Sequence, residues 1–300
     1  MALEAMCAST CEGGYGYGKH RRMRLEEEER DGVEQPATAL FAQPQFLMPN
    51  TALHPKQFVE SHFGPNSAHE RKLHFAKGTT TLAFIYKPKT EADKGGIVVA
   101  VDSRASAGQA ISSKTVMKIL DVSDRAVATM AGGAADCQYW MRVLAKQCAI
   151  YKLQNGQEMS IASASKWISN ILHYYRNMGL SIGSMVAGYD KKGPSLYLVL
   201  DDGSRVKSDV FSIGSGFLNA YSILDASRKE AMSDAEALEL GRKAIMHATF
   251  RDIGSGGYCN LCHITPTSKK YYESKDVSEM YYEHMKQMKR EPYQPSADNL

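Results

Sequence analysis

Three hundred residues, 43% of them apolar and 23% charged, suffice to bury a core without disulfide or metal staples. A net charge of +3 spread along the chain does not suggest nucleic acid, and no apolar run approaches a membrane span. Six scattered cysteines (Cys7, Cys11, Cys137, Cys148, Cys259 and Cys262) and no charged stretch leading into an apolar run near Met1 speak against a secretory signal. Reduced thiols in the cytoplasm or nucleus follow.

Residues 1–50 mix Gly, Glu, Arg and Pro without a period, which suits a disordered arm. Residues 51–78 scatter Leu53, Phe58, Val59, Phe63, Leu73 and Phe75 among His54, His62, His69 and His74, whose spacing matches no metal motif. The stretch 1–78 therefore reads as a leader, and 79–300 as the folded domain with a terminal helix and tail. Residues 80–86 and 96–101 predict two strands joined by the polar stretch 87–95, and 111–120 with 125–131 a second pair. Cys137, Trp140, Leu144, Cys148 and Tyr151 recur at helical spacing, as do Ile161, Ile168, Ile171 and Tyr175. Gly156 and Gly179 offer stops for these two helices. Strands are predicted at 181–187, 195–201 and 204–213, the last two joined at Asp202-Gly203. Ser233 and Glu236 form a capping box for a helix with Ala237, Leu240, Ala244 and Ala248 on one stripe. A strand at 257–265, another after it, and a polar helix over 274–290 complete the order. Tyr281, Met285 and Met288 on that helix read as docking contacts. The sequence of strands, helices, strands, helices predicts an α+β protein: two sheets face to face with helices outside.

The chemistry is harder to find. There is no Gly-x-Ser-x-Gly, no His-Glu-x-x-His and no phosphate-binding glycine loop. Cys259 and Cys262 lie three apart on a predicted strand, so they face opposite ways, and no second pair completes a metal site. His173, His247, His263 and His284 sit in regular elements, where structural roles are commoner. Gly214-Ser215-Gly216 is too short to carry meaning alone. The informative string is Lys77-Gly78-Thr79-Thr80-Thr81-Leu82-Ala83-Phe84. Triple threonine is ordinary strand sequence, but a glycine before it makes sense if the Gly78–Thr79 bond is cut. A threonine at a new N-terminus carries its own base, an α-amine of pKa about 8. While amide-linked it has none. Gly78, without a Cβ, would let the bond twist toward attack by Thr79 Oγ.

From Thr79 to about residue 265 the chain resembles the proteasome beta subunits, threonine peptidases of the N-terminal-nucleophile hydrolase fold, a four-layer αββα sandwich. The strings that carry the resemblance are residues 78–84, 100–108, 129–137, 212–216 and 251–257. Within the family, residues 130–137 and Met178-Gly179-Leu180-Ser181 resemble the chymotrypsin-like, beta type-5 subunits. The resemblance implies Thr79 as nucleophile, Asp102 as a buried acid after the second strand, and Lys118 near the end of the third strand. That lysine would lower the pKa of the α-amine by like-charge repulsion. It implies the backbone N–H of Gly132 as oxyanion donor, and Ser215, Asp252 and Ser255 as partners of the N-terminal amine and hydroxyl. Each has an ordinary alternative: a turn carboxylate, a solvated strand-end lysine, a helix-terminal acid. It implies Ala105, Ser106, Val116, Leu120, Met130, Ala131 and Ala134 as substrate-binding, with cleavage after Leu, Phe or Tyr. No cofactor or metal is implied. The implied partners are other alpha and beta subunits in stacked seven-membered rings, regulatory particles, assembly chaperones and unfolded polypeptides. A non-catalytic structural ring member is the competing reading. Departures are the insert 87–95, Ser106 where threonine is frequent, and Lys77 where histidine often precedes the glycine.

Overall fold

The computed structural model describes residues 78–107 and 110–288, apart from the side chains of residues 107 and 110. The arm 1–50, the histidines of the leader, Cys7 and Cys11 and the end of the predicted last helix lie outside the described residues.

The described residues form β1(Thr80–Pro88), β2(Gly96–Val101), β3(Ala105–Ala107), β4(Ala110–Ser113), β5(Ile119–Ser123), β6(Ala126–Thr129) and β7(Ala131–Gly132), then helices α1(Ala134–Asn155) and α2(Ile161–Tyr174). There follow β8(Ile182–Asp190), β9(Gly193–Leu200), β10(Arg205–Lys207), β11(Val210–Gly214), α3(Phe217–Ser227), β12(Ala231–Met232), α4(Asp234–Arg251), β13(Tyr258–Ile264), β14(Lys269–Asp276) and α5(Val277–Gln287). One sheet runs β11-β1-β2-β13-β14, with β12 beside β1; the other runs β10-β9-β8-β6-β5, with β7 beside β8.

Strand alternation sorts the apolar side chains into three layers. Leu82, Phe84, Val98, Ala100 and Leu261 turn outward from the first sheet and pack under α3, α4 and α5 with Leu224, Ala237, Ala244 and Ile245. Ala126, Ala128, Val186, Tyr197 and Val199 do the same for the second sheet under α1 and α2, against Met141, Leu144, Ile168 and Leu172. Ala83, Ile97, Val99, Val101, Val127, Met185 and Leu196 fill the space between the sheets. This is the expected αββα sandwich. Cys259 belongs to the outer layer and Cys262 to the inner one, so the two thiols face opposite ways.

Helix starts are set locally. Ser233 accepts from the Glu236 amide at 3.2 Å while Glu236 Oε2 accepts from the Ser233 amide at 3.0 Å, so the predicted capping box is present on α4. Ser160 caps α2 and Asp276 caps α5. Gly156 ends α1 in the left-handed region at φ 65°. The predicted glycine stop of α2 is corrected: the helix ends at Tyr174 with Tyr175 as its cap, and Gly179 lies in the following turn.

Two predicted strands divide in the structure. Residues 111–120 are not one strand; β4 ends at Ser113, and β5 starts at Ile119 in another sheet. Lys118 thus precedes a strand rather than ending one. Residues 204–213 break at Ser208-Asp209, because β10 pairs with β9 while β11 pairs with β1 in the opposite sheet. Helix α3 has no counterpart in the predicted order. On α5, Met280 is buried and Tyr281 stacks on Phe250, while Met288, the cap residue after the helix, is half-exposed. No helix among the described residues is long and apolar enough to cross a membrane.

Candidate active site

The N-terminal end of β1 lies between two neighbours. On one side β2 pairs Thr81 with Val101; on the other β11 pairs Thr80 with Gly214. Beyond Val101 the chain leaves the sheet at Asp102, whose side chain is fully buried. Its Oδ1 accepts from the Thr80 amide (2.9 Å) and Lys118 Nζ (2.7 Å); its Oδ2 accepts from the amides of Gly256 (3.0 Å) and Arg104 (3.2 Å). Four donors satisfy a carboxylate that could not otherwise remain charged in the interior.

Lys118, 3% exposed, reaches from its loop to Thr79 Oγ1 at 2.9 Å and to the Gly78 carbonyl at 3.2 Å. Burial holds its pKa below the ordinary lysine value, opposed by the Asp102 charge. The lysine therefore addresses the hydroxyl of Thr79. The Thr79 backbone nitrogen instead donates to Ser215 Oγ at 3.1 Å.

Ser215 sits between β11 and the start of α3. Its Oγ lies 2.5 Å from Asp252 Oδ2, and the same oxygen accepts from Ser255 Oγ at 2.5 Å. Ser255 in turn touches Thr80 Oγ1 at 2.7 Å. Asp252 is the C-cap residue of α4, so the end of that helix sets the whole hydroxyl network. Gly132 closes β7 at φ 105°, and a Cβ there would meet the Ser181 carbonyl at 2.5 Å.

Gly78 has a reason beyond torsional freedom. A Cβ on it would fall 2.2 Å from the Gly254 carbonyl oxygen, so two glycine backbones press together beside Thr79. Thr79 Oγ1 donates to the Gly78 carbonyl at 2.5 Å, which puts the hydroxyl against the bond expected to be cut.

The structure thus brings Thr79, Asp102, Lys118, Ser215, Asp252 and Ser255 into one connected network. A cavity of about 360 Å³ opens beside Thr79, lined by Gly132, Ser181, Ile182, Leu200, Ile213 and Ser215 among others. Of the seven expected substrate-binding residues, only Ala131 lines it. Val116, Leu120 and Met130 share the apolar layer under α1, Ala105 and Ser106 lie on β3, and Ala134 is an exposed residue opening α1. Sequence reasoning missed Thr80, Arg104, Gly254 and Gly256, which orient Asp102 and Ser255 or shape the floor under Gly78. For the two glycines the string Gly254-Ser255-Gly256-Gly257 was the visible signal, with Gly256 and Gly257 both at positive φ.

The sequence signature of the family described as "Proteasome subunit" matches residues 75–264. Similar proteins include proteasome subunit pbs-5 of Caenorhabditis elegans, 54% identical over 86% of this chain and 89% of its own length. Proteasome subunit beta type-5-A of Arabidopsis thaliana is 49% identical over 71% of this chain and 75% of its own. Proteasome subunit beta type-8 of Rattus norvegicus is 43% identical over 80% and 84%. With the family signature across most of the folded residues and relatives of this likeness, the chain belongs to the proteasome subunit family, in its beta branch.

Proposed function

We propose that the chain is a threonine endopeptidase subunit of the proteasome core, cleaving preferentially after hydrophobic residues, with Thr79 as its nucleophile after the Gly78–Thr79 bond is cut. The observation that carries the reading is the buried lysine: Lys118 Nζ stands 2.9 Å from Thr79 Oγ1 and is ion-paired to Asp102 at 2.7 Å.

Maturation uses the same groups. Thr79 Oγ attacks the Gly78 carbonyl carbon, the hydroxyl proton passes to the departing nitrogen, and the C–N bond breaks as the Oγ–C ester forms. Water then hydrolyses the ester, leaving a Gly78 carboxylate and a free amine on Thr79. In the mature site that amine takes the hydroxyl proton, Lys118 stabilises the developing alkoxide, and the Gly132 N–H receives the substrate oxyanion. Asp102 keeps Lys118 oriented. Ser215, Asp252 and Ser255 hold the amine where Thr79 N now donates to Ser215.

The substrate-binding role of Ala105, Ser106, Val116, Leu120, Met130, Ala131 and Ala134 follows from the family resemblance. Membership implies assembly with other proteasome subunits in the core particle. The finer picture is stacked heptameric rings with alpha and beta partners, regulatory particles and assembly chaperones, working in cytoplasm and nucleus on unfolded polypeptides. Residues 1–78 are the leader removed on maturation, and 79–300 the peptidase domain.

Mass spectrometry of the chain from assembled particles tests this. A chain starting at Thr79, with a threonine-reactive electrophile attached to that residue, is expected. A working particle whose subunit still carries Gly78 would falsify the reading.

A further inference from the structure

We infer that the cavity beside Thr79 is a subsite for the residue just after the scissile bond, and that it favours lysine or arginine there. The inference rests on the reading of Thr79 as nucleophile. The expected acyl-side residue Ala105 follows β2 and Asp102 directly, and the Val116 amide donates to the Ser103 carbonyl at 3.0 Å, so both connect to the β2 side of β1. The cavity lies on the other side, where β11 brings Gly214 and Ser215 beside Thr79. Once the carbonyl carbon is bonded to Thr79 Oγ and its oxygen faces Gly132, the leaving amine has this opposite side open to it. When the C–N bond breaks, that amine takes the proton held by the α-ammonium and departs through the cavity.

Closely packed glycines frame the cavity and admit no larger residue at these positions. A Cβ on Gly132 would meet the Ser181 carbonyl at 2.5 Å, one on Gly183 would meet Ile213 Cδ1 at 2.4 Å, and one on Gly214 would meet the Thr79 carbonyl at 2.0 Å. At about 360 Å³ the cavity has room for a long side chain. Its walls are apolar at Ile182, Leu200 and Ile213, with exposed Asp201 beside them and no Lys or Arg lining it among the described residues. Apolar walls suit a methylene stem, and a carboxylate at the mouth suits its cationic head. Neighbouring Asp202 differs: its Oδ1 accepts from the Ser204 amide at 2.7 Å within the β9–β10 turn.

The test uses the assembled particle and internally quenched peptides with Leu before the scissile bond and Lys, Arg, Ala or Glu after it. Coumarin peptides with Leu at the cut, which have no residue after it, are run alongside. A rim charge of this kind predicts a kcat/KM ratio of Lys to Glu of about five, falling with added salt. Asp201→Asn should bring the ratio to near one, and Asp201→Lys should invert it. Both ratios are internal to each particle, so they need only residual turnover. If the wild-type particle cleaves the coumarin peptide yet treats Lys and Glu alike at every salt concentration, the subsite is wrong and the nucleophile stands. A preference that survives Asp201→Asn also overturns the subsite. A wild-type particle that leaves the coumarin peptide intact overturns the nucleophile, and the subsite with it.

Discussion

At the scale of single residues, the site depends on two groups that tolerate no change of shape. Lys118 is 3% exposed and contacts Asp102, Thr79 and Gly78 through one nitrogen. An arginine fork is larger and cannot converge on those oxygens from the same space. Lys118→Arg is therefore expected to lower kcat on hydrophobic coumarin peptides at least about a hundredfold; turnover within tenfold of wild type would contradict it. Gly78 is bounded by the Gly254 carbonyl, 2.2 Å from where a Cβ would lie. Gly78→Ala should thus slow the proposed cut between Gly78 and Thr79 several-fold, followed by mass spectrometry during assembly. Gly254→Ala should do the same from the opposite wall, whereas a purely torsional role for Gly78 predicts that only the first variant is slow. The string around Thr79 was visible in the sequence because a glycine before a strand-opening threonine is chemically odd. The Gly78–Gly254 contact was invisible, since it joins residues 176 positions apart through backbone alone.

At the scale of elements, the far end of β1 is tied to the start of α4. Asp234 Oδ1 accepts from Tyr86 Oη at 2.7 Å and from the amides of Lys94 (3.2 Å) and Gly95 (3.1 Å), while the Asp234 amide donates to Asp93 at 3.1 Å. The insert 87–95 is thereby folded onto a helix N-terminus, where acidic side chains are favoured. Asp234→Ala should free it, and hydrogen exchange at Lys94 and Gly95 should quicken while Thr81 and Leu82 stay protected. Equal protection in the variant would refute the tie. His263 belongs to the same cluster. Its Nε2 lies 2.8 Å from Tyr86 Oη and 3.1 Å from the Gly95 carbonyl; since Tyr86 donates to Asp234, Nε2 carries the proton. Burial lowers the His263 pKa, opposed by Asp234 and the Gly95 carbonyl and aided by Lys94 and Lys270. The unfolded chain, titrating at about 6.5, binds a proton before the folded one does as pH falls. Stability from this group is present above that value and is lost as pH drops through the lower folded value. Thermal melts between pH 7.5 and 5 should show this loss, and His263→Gln should flatten it. Periodicity exposed most of these elements, and the Ser233–Glu236 pair fixed one helix start. Helix α3 escaped because its capping residue is Gly216, which has no side chain to signal a helix start, and its hydrophobic stripe is short.

At the scale of the whole molecule, two sheets share one inner layer. Leu196 and Met185 are fully buried there between strands of opposite sheets. Leu196→Ala should cost about 2–5 kcal/mol, read from denaturant unfolding of the chain or as loss of the subunit from particles. A change under about 0.5 kcal/mol would mean the layer repacks freely. The layered class was legible because alternating apolar runs before and after two helical stretches leave few other ways to bury their faces. Which strand joins which sheet was not legible. Residues 111–120 and 204–213 each read as one extended run, yet each divides between sheets, and no local propensity marks where a chain changes partner.

The second of these divided runs ties motion to chemistry. Within ten residues the chain leaves the edge of one sheet at Lys207 and joins the edge of the other at Val210, then delivers Ser215 to Thr79. Shearing one layer over the other would drag this short tether and pull the serine off the threonine nitrogen. Pressure applied by a neighbour to the α1–α2 face would therefore be felt as misalignment at the cutting centre, without any neighbour touching it.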